Sequence, residues 1–177
     1  MYDKIHLAIA FCVAGHQACG QKRKFSGEEY FHHPIDVSAL VASFGGSDDM
    51  ICAALMHDLI EDTQIKIETV RGTFGVNVAR MVLALTKVSK PEDGDRATRK
   101  ALDLIYTAQA CPDTKTIKLC DIISNLSDIH NGDPEWTKQY VLEKEMLLEV
   151  LKEGNNDAWN LAKQMVRSSK LLMFGGE

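Results

Sequence analysis

Ala53-Ala54-Leu55-Met56-His57-Asp58-Leu59-Ile60-Glu61-Asp62-Thr63 sets four ionisable side chains into six positions, directly behind an apolar run. Carboxylates are rarely buried unless something pairs with them or coordinates them. Read as one helix, the stretch puts His57 and Glu61 on one face a turn apart, and Asp58 and Asp62 likewise. An adjacent His-Asp followed one turn later by carboxylates suits a divalent metal, with two ligands below and two acid/base groups above. The apolar run before it reads as the inside of a helix, and the same 3.6-residue pattern recurs along nearly the whole chain.

Working outward, a catalytic metal needs three or four protein ligands and an open position. Upstream, Tyr30-Phe31-His32-His33-Pro34 offers two histidines before a proline. Proline is well tolerated at a first helical position, so His33 falls at a helix start, and either His32 or His33 can serve. Downstream, Lys118-Leu119-Cys120-Asp121-Ile122-Ile123-Ser124-Asn125 places a carboxylate in a largely apolar segment, with Asn125 one turn beyond. His33, His57, Asp58 and Asp121 form a two-histidine, two-carboxylate set.

The chain has 177 residues, which fits one compact domain over 1–177 with an ample apolar core. No run of apolar residues approaches a membrane span, and the N-terminal apolar stretch from Leu7 to Ala14 lacks the features of a secretory signal. Five cysteines at 12, 19, 52, 111 and 120 show no C-x-x-C spacing. They read as scattered reduced thiols of a cytoplasmic protein, with Cys52 and Cys120 in the core. The net charge of −5 argues against a nucleic-acid binder. Lys22, Arg23 and Lys24 are the densest positive patch, and a local patch is what steers an anion, because screening limits the range to about 10 Å.

The expected elements are all helical. They cover 2–19, 34–44, a helix capped by Ser47 that carries the His57 stretch, a short helix within 63–74 ending near Gly72, then 76–88, 95–110, 113–129, 134–153 and 155–173. Residues 20–30 form a basic loop, Gly45-Gly46 and Gly154 act as stops, and 89–94 form an exposed turn. The fold class is all-α, an irregular orthogonal helical bundle.

Five ordered elements together resemble the HD superfamily of metal-dependent phosphohydrolases, and within it the hydrolase domain of the RelA/SpoT family. They are Gly20-Gln21-Lys22-Arg23-Lys24, Tyr30 to Pro34, His57 to Asp62, Leu85-Thr86-Lys87, and Lys118 to Leu126. The resemblance implies the HD-domain fold and a stand-alone small alarmone hydrolase of the metazoan SpoT-homologue kind. It favours His33 over His32 as ligand and makes His33, His57, Asp58 and Asp121 the metal set, with manganese expected and other divalent metals open. Glu61 and Asp62 take the role of positioning or activating water, with neither singled out. Arg23 becomes a wall of the nucleotide pocket, Lys24 lies nearer phosphate, and Asn125 lies near the sugar. Tyr140 is a further substrate candidate, with a core or surface role as its alternative. Lys118 matches the pattern but also suits a simple pair with a carboxylate, while His6, His16 and His130 read as structural or surface residues.

The implied reaction is removal of pyrophosphate from the ribose 3′ position of guanosine tetraphosphate or pentaphosphate. The implied partner is a small nucleotide, with no nucleic acid, no membrane and no support for an oligomer. Ile122 and Ser127 stand where the family often carries basic residues, which leaves the base identity open. An adenosine alarmone, NADPH, or a catalytically idle nucleotide-binding module are the alternatives.

Overall fold

The computed structural model describes residues 3–24, 26–129 and 132–175, excluding the Asp128 side chain. His130, expected above to be structural or at the surface, lies outside the described residues. Every regular element among them is helical, and the single β-type contact is an isolated antiparallel bridge between Lys22 and Glu29. The all-α expectation holds. No helix among the described residues is long and apolar enough to cross a membrane. The chain divides into two compact units, residues 1–87 and 88–177.

The first unit contains α1 (Lys4–Ala18), α2 (His32–Ser43), α3 (Asp48–Leu55), α4 (Leu59–Asp62), α5 (Ile67–Phe74) and α6 (Val76–Leu85). The short α3 is its centre and packs on α1, α2 and α6. Cys52, Ala53, Ala54 and Leu55 are fully buried, as are Val37 and Val41 of α2 and Val78 and Val82 of α6. The small alanines let neighbouring helices approach closely. Ser47 caps α3 by accepting from the Met50 N–H, as the sequence predicts. Gly45, at φ 77°, ends α2 in a conformation that side chains disfavour. Gly15 of α1 allows another close approach, since a Cβ there would lie 2.7 Å from Leu59 Cδ2. Leu59 is fully buried, so truncating it to Ala costs about 2–5 kcal/mol.

The second unit opens with a 3-10 turn at Pro91–Asp93, followed by α7 (Arg96–Ala108), α8 (Pro112–Asp128), α9 (Pro134–Val150) and α10 (Asn156–Phe174). Helix α10 packs on α8 and α9, and α7 packs on α9. Proline opens α8 and α9 at the position where its missing N–H is harmless. Asp133 caps α9 through the Trp136 N–H at 2.9 Å. Ile117, Leu119, Cys120, Ile122 and Leu126 of α8 form the buried core.

One local expectation is corrected. The His57 stretch is not a continuous helix: α3 ends at Leu55, residues 56–58 form a turn, and α4 begins at Leu59. In an unbroken helix the Ala54 carbonyl would accept from the Asp58 N–H. Here it accepts from the His57 side chain, with Nδ1 at 2.8 Å, and from the His57 N–H at 3.5 Å. The side chain competes with the helix ladder and stops it. His57 and Asp58 therefore sit on the corner between two helices.

Candidate metal centre

The corner at His57-Asp58 meets the start of α2. His33 and His57 are almost wholly buried, and Asp58 keeps a 19% exposed side chain. Each of the three offers a ligand atom, and these atoms lie within 4.8 Å of one another. Asp58 Oδ2 is 2.9 Å from His57 Nε2 and 3.9 Å from His33 Nε2. The two imidazoles meet edge-on with centroids 5.2 Å apart. Because His57 Nδ1 faces the Ala54 carbonyl, it must be the donor, so in the neutral ring Nε2 is the nitrogen that carries the lone pair for a cation. A ligating histidine ordinarily gives its other N–H to such an acceptor.

The chemistry of this donor set fits a divalent cation. Two imidazole nitrogens and a carboxylate oxygen converge, with Asp58 partly exposed, and a cation would offset the cost of a carboxylate among buried groups. The Tyr30 hydroxyl donates to Asp58 Oδ2 at 2.6 Å and fixes that carboxylate's rotation. Cys12 is close by, but burial first and the Asp58 charge second push its thiol up to about 12, so it is a packing residue here. His32, the alternative ligand, is exposed and its ring lies against Phe31. His33, by contrast, is buried beside His57 and Asp58.

Glu61 and Asp62 on α4 differ in surroundings. Glu61 receives two bonds from Lys87: the backbone N–H at 2.6 Å to Oε1 and the ammonium at 2.5 Å to Oε2. The Leu85-Thr86-Lys87 element therefore serves to hold Glu61. Asp62 is exposed and accepts from the Gln21 amide at 2.8 Å. Its carboxyl is raised above the usual aspartate value, chiefly because the protein around it disfavours charge. The Gln21 hydrogen bond opposes this, while Asp58 and Glu61 add to it and Lys87 subtracts. A carboxyl raised in this way is better suited to accept a proton than an ordinary aspartate.

Sequence reasoning missed three contributors to this centre. Tyr30 was visible only as part of a motif. Gln21 lies 41 positions from its partner Asp62. His16, read above as structural or surface, is 1% exposed, bonds Gln21 at 2.7 Å and lies with its ring centroid 5.0 Å from that of Tyr30. No periodicity signals such contacts. His6 is exposed, near Asp3.

The basic loop is less uniformly positive than its sequence suggests. Lys22 is neutralised by an ion pair with Glu29. Arg23 is half-buried, with its backbone N–H bonded to the Glu28 carbonyl at 2.8 Å, and Lys24 is exposed.

In the second unit Asp121 is buried, as its apolar setting predicts. It pairs with Lys118 at 2.8 Å and accepts from Asn125 at 2.5 Å. Lys118 thus does pair with a carboxylate. Tyr140 is half-buried and stacks on Trp136 at 4.9 Å, and the Lys144 ammonium lies 4.6 Å from the Tyr140 ring centre. Burial and then neighbouring Lys118 push Lys144 down to about 8, with Lys100, Asp121 and Glu143 also acting on it. Ile122 is fully buried in the core, so a basic residue there would have to leave that packing.

Comparison with known proteins places this geometry in context. The sequence profile of the HD domain matches residues 8–148. A Synechocystis protein named probable guanosine-3′,5′-bis(diphosphate) 3′-pyrophosphohydrolase is 34% identical over 76% of this chain. The chain spans only 18% of that relative's length, and 18% of a similarly named Aquifex aeolicus protein. A Homo sapiens protein named guanosine-3′,5′-bis(diphosphate) 3′-pyrophosphohydrolase MESH1 is 33% identical, with 70% of this chain aligned to 69% of that one. Among solved structures, a metazoan orthologue of SpoT described as hydrolysing ppGpp superposes with a TM-score of 0.85 at 24% identity, over 97% of this chain and 98% of the other. That likeness establishes the shared fold.

Proposed function

The chain belongs to the HD domain family, and we propose that it is a divalent-metal-dependent phosphohydrolase that removes pyrophosphate from the ribose 3′ position of guanosine tetraphosphate or pentaphosphate. The observation that carries the proposal is the convergence of His33, His57 and Asp58, followed on α4 by Glu61 held by Lys87 and Asp62 held by Gln21. The names of relatives that align with most of this chain support the substrate.

In this reading His33, His57 and Asp58 would hold the metal, and the sequence resemblance adds Asp121 as a further ligand. Asp121 is supported by its sequence match and by its burial as a carboxylate. A bound divalent cation acidifies water and screens phosphate charge. Mixed imidazole and carboxylate ligation suits manganese, with iron, zinc and cobalt as alternatives. Water oxygen forms a bond to the phosphorus joined to ribose O3′, the P–O3′ bond breaks, and O3′ takes up a proton from solvent, to which Asp62 returns the one it accepts from the attacking water. Asp62 takes the proton from water, and Glu61, anchored by Lys87, shapes the field around it. Arg23 and Lys24 are proposed to meet the base and a phosphate; Asn125 and Tyr140 are proposed to meet the sugar and base. Buried Cys12, Cys52 and Cys120 support a cytoplasmic setting.

A panel of guanosine tetraphosphate, its adenosine counterpart and NADPH, with products identified by chromatography, tests the substrate. The guanine alarmone should be cleaved fastest, to GDP and pyrophosphate. Strong cleavage of an adenine substrate with little on the guanine one would overturn it. Tight alarmone binding with no turnover under any metal would mark an idle module.

A further inference from the structure

We propose that Gln21 is a positioning residue whose side-chain amide, anchored on buried His16, fixes the orientation of the Asp62 carboxylate beside the metal-binding cluster. This rests on the reading of Asp62 as the proton acceptor.

Three observations carry the proposal. His16 Nδ1 lies 2.7 Å from Gln21 Oε1, and Gln21 Nε2 lies 2.8 Å from Asp62 Oδ2. The amide can face only one way, since its oxygen turned toward Asp62 would set two acceptors 2.8 Å apart. Its NH2 therefore donates to Asp62, its oxygen accepts, and His16 Nδ1 must carry the hydrogen. The link runs in a fixed direction from a buried imidazole through an unionisable amide to the carboxylate.

The anchor is rigid. His16 is 1% exposed on the last turn of α1, and the Gln21 backbone N–H also returns to the His16 carbonyl at 3.3 Å. Gly15 lets this end of α1 press against Leu59 of α4, the helix that bears Asp62. His16 Nε2 is buried with no hydrogen-bond partner among the described residues. Among the described residues, the side-chain hydrogen bond of the imidazole goes to Gln21. The same ring lies beside Tyr30, whose hydroxyl orients Asp58. Asp58 and Asp62 are each held by a neutral donor that does not compete as a charge.

Gln21→Met keeps side-chain length and removes both amide bonds. The groups acting on Asp62 that remain are Asp58, Glu61 and Lys87. The variant should lower kcat about 10-fold with KM and manganese affinity changed little, in keeping with the effect of losing an outer contact. Gln21→Glu keeps an acceptor for His16 but faces Asp62 with a second carboxylate. It should lose more at neutral pH and shift the acid limb of the kcat profile upward. In an Asp62→Asn background, Gln21→Met should add no further loss. An unchanged kcat in Gln21→Met, or a full additional loss on top of Asp62→Asn, overturns the proposal.

A second readout needs no turnover. In chelated protein, the Asp62 carboxyl carbon followed by NMR should titrate at higher pH in Gln21→Met than in the wild type, and the His16 Nδ1–H signal should move. That shift in a protein inactive on guanosine tetraphosphate supports the link while refuting the substrate reading. No shift overturns the link even if the enzyme is active.

Discussion

The Tyr30 hydroxyl donates a 2.6 Å hydrogen bond to Asp58 Oδ2, the oxygen that also lies nearest His57 Nε2. Tyr30 thereby sets which way the candidate ligand points. Tyr30→Phe removes only that oxygen and leaves the ring packed against His33. Manganese affinity, measured by calorimetric titration, should fall about 10- to 100-fold with the fold intact. Unchanged affinity would show that Asp58 needs no such support.

Asp121→Ala should abolish tight manganese binding. The variant should keep its helical circular dichroism, because α8 holds its place through Ile117, Leu119, Ile122 and Leu126. Lys118 and Asn125 lose their shared partner, so a lower melting temperature is expected alongside. Normal metal binding and turnover in this variant would remove Asp121 from the ligand set.

Lys87→Ala tests how Glu61 is held. The substitution deletes the ammonium but keeps the backbone N–H that donates to Glu61 at 2.6 Å. The lysine side chain is 57% exposed, so its ion pair contributes little, and unfolding free energy should change by less than about 1 kcal/mol. Activity should drop only a few-fold. Loss as severe as in Glu61→Ala would mean that the lysine charge itself acts on the substrate.

Asp62 gives a pH-dependent stability effect. Its carboxyl is raised in the folded protein, so the folded state binds that proton more tightly than the unfolded chain does. Its contribution is favourable at pH below the ordinary aspartate value and is lost as pH rises through the raised one. In chelated protein, Asp62→Asn should therefore melt slightly higher than wild type at neutral pH. The difference should disappear in acid, where the wild-type carboxyl is protonated. A variant that melts lower at neutral pH would contradict the shift.

Much of this was legible in the sequence because helices announce themselves through apolar spacing and caps. Ser47 and Gly45 mark boundaries that the structure keeps. His33, His57 and Asp58 were legible as motif residues, and they do converge. The break at residues 56–58 was not, since Leu55, Met56, Leu59 and Ile60 continue a helical pattern across it. Competition of one imidazole for the Ala54 carbonyl decides it, and apolar periodicity is blind to that. His16 and Gln21 escaped for a related reason. Their role depends on bonds to a residue far along the chain, and the rotation of an amide leaves no trace in spacing.

The most direct test is turnover of guanosine tetraphosphate by the wild-type protein with manganese, against a chelated control and His57→Ala, with products separated by chromatography. The account predicts GDP and pyrophosphate only when manganese is supplied, and none from the variant. Equal release in the chelated sample, or wild-type activity in His57→Ala, would contradict the proposal that the His33–His57–Asp58 cluster is a catalytic metal centre.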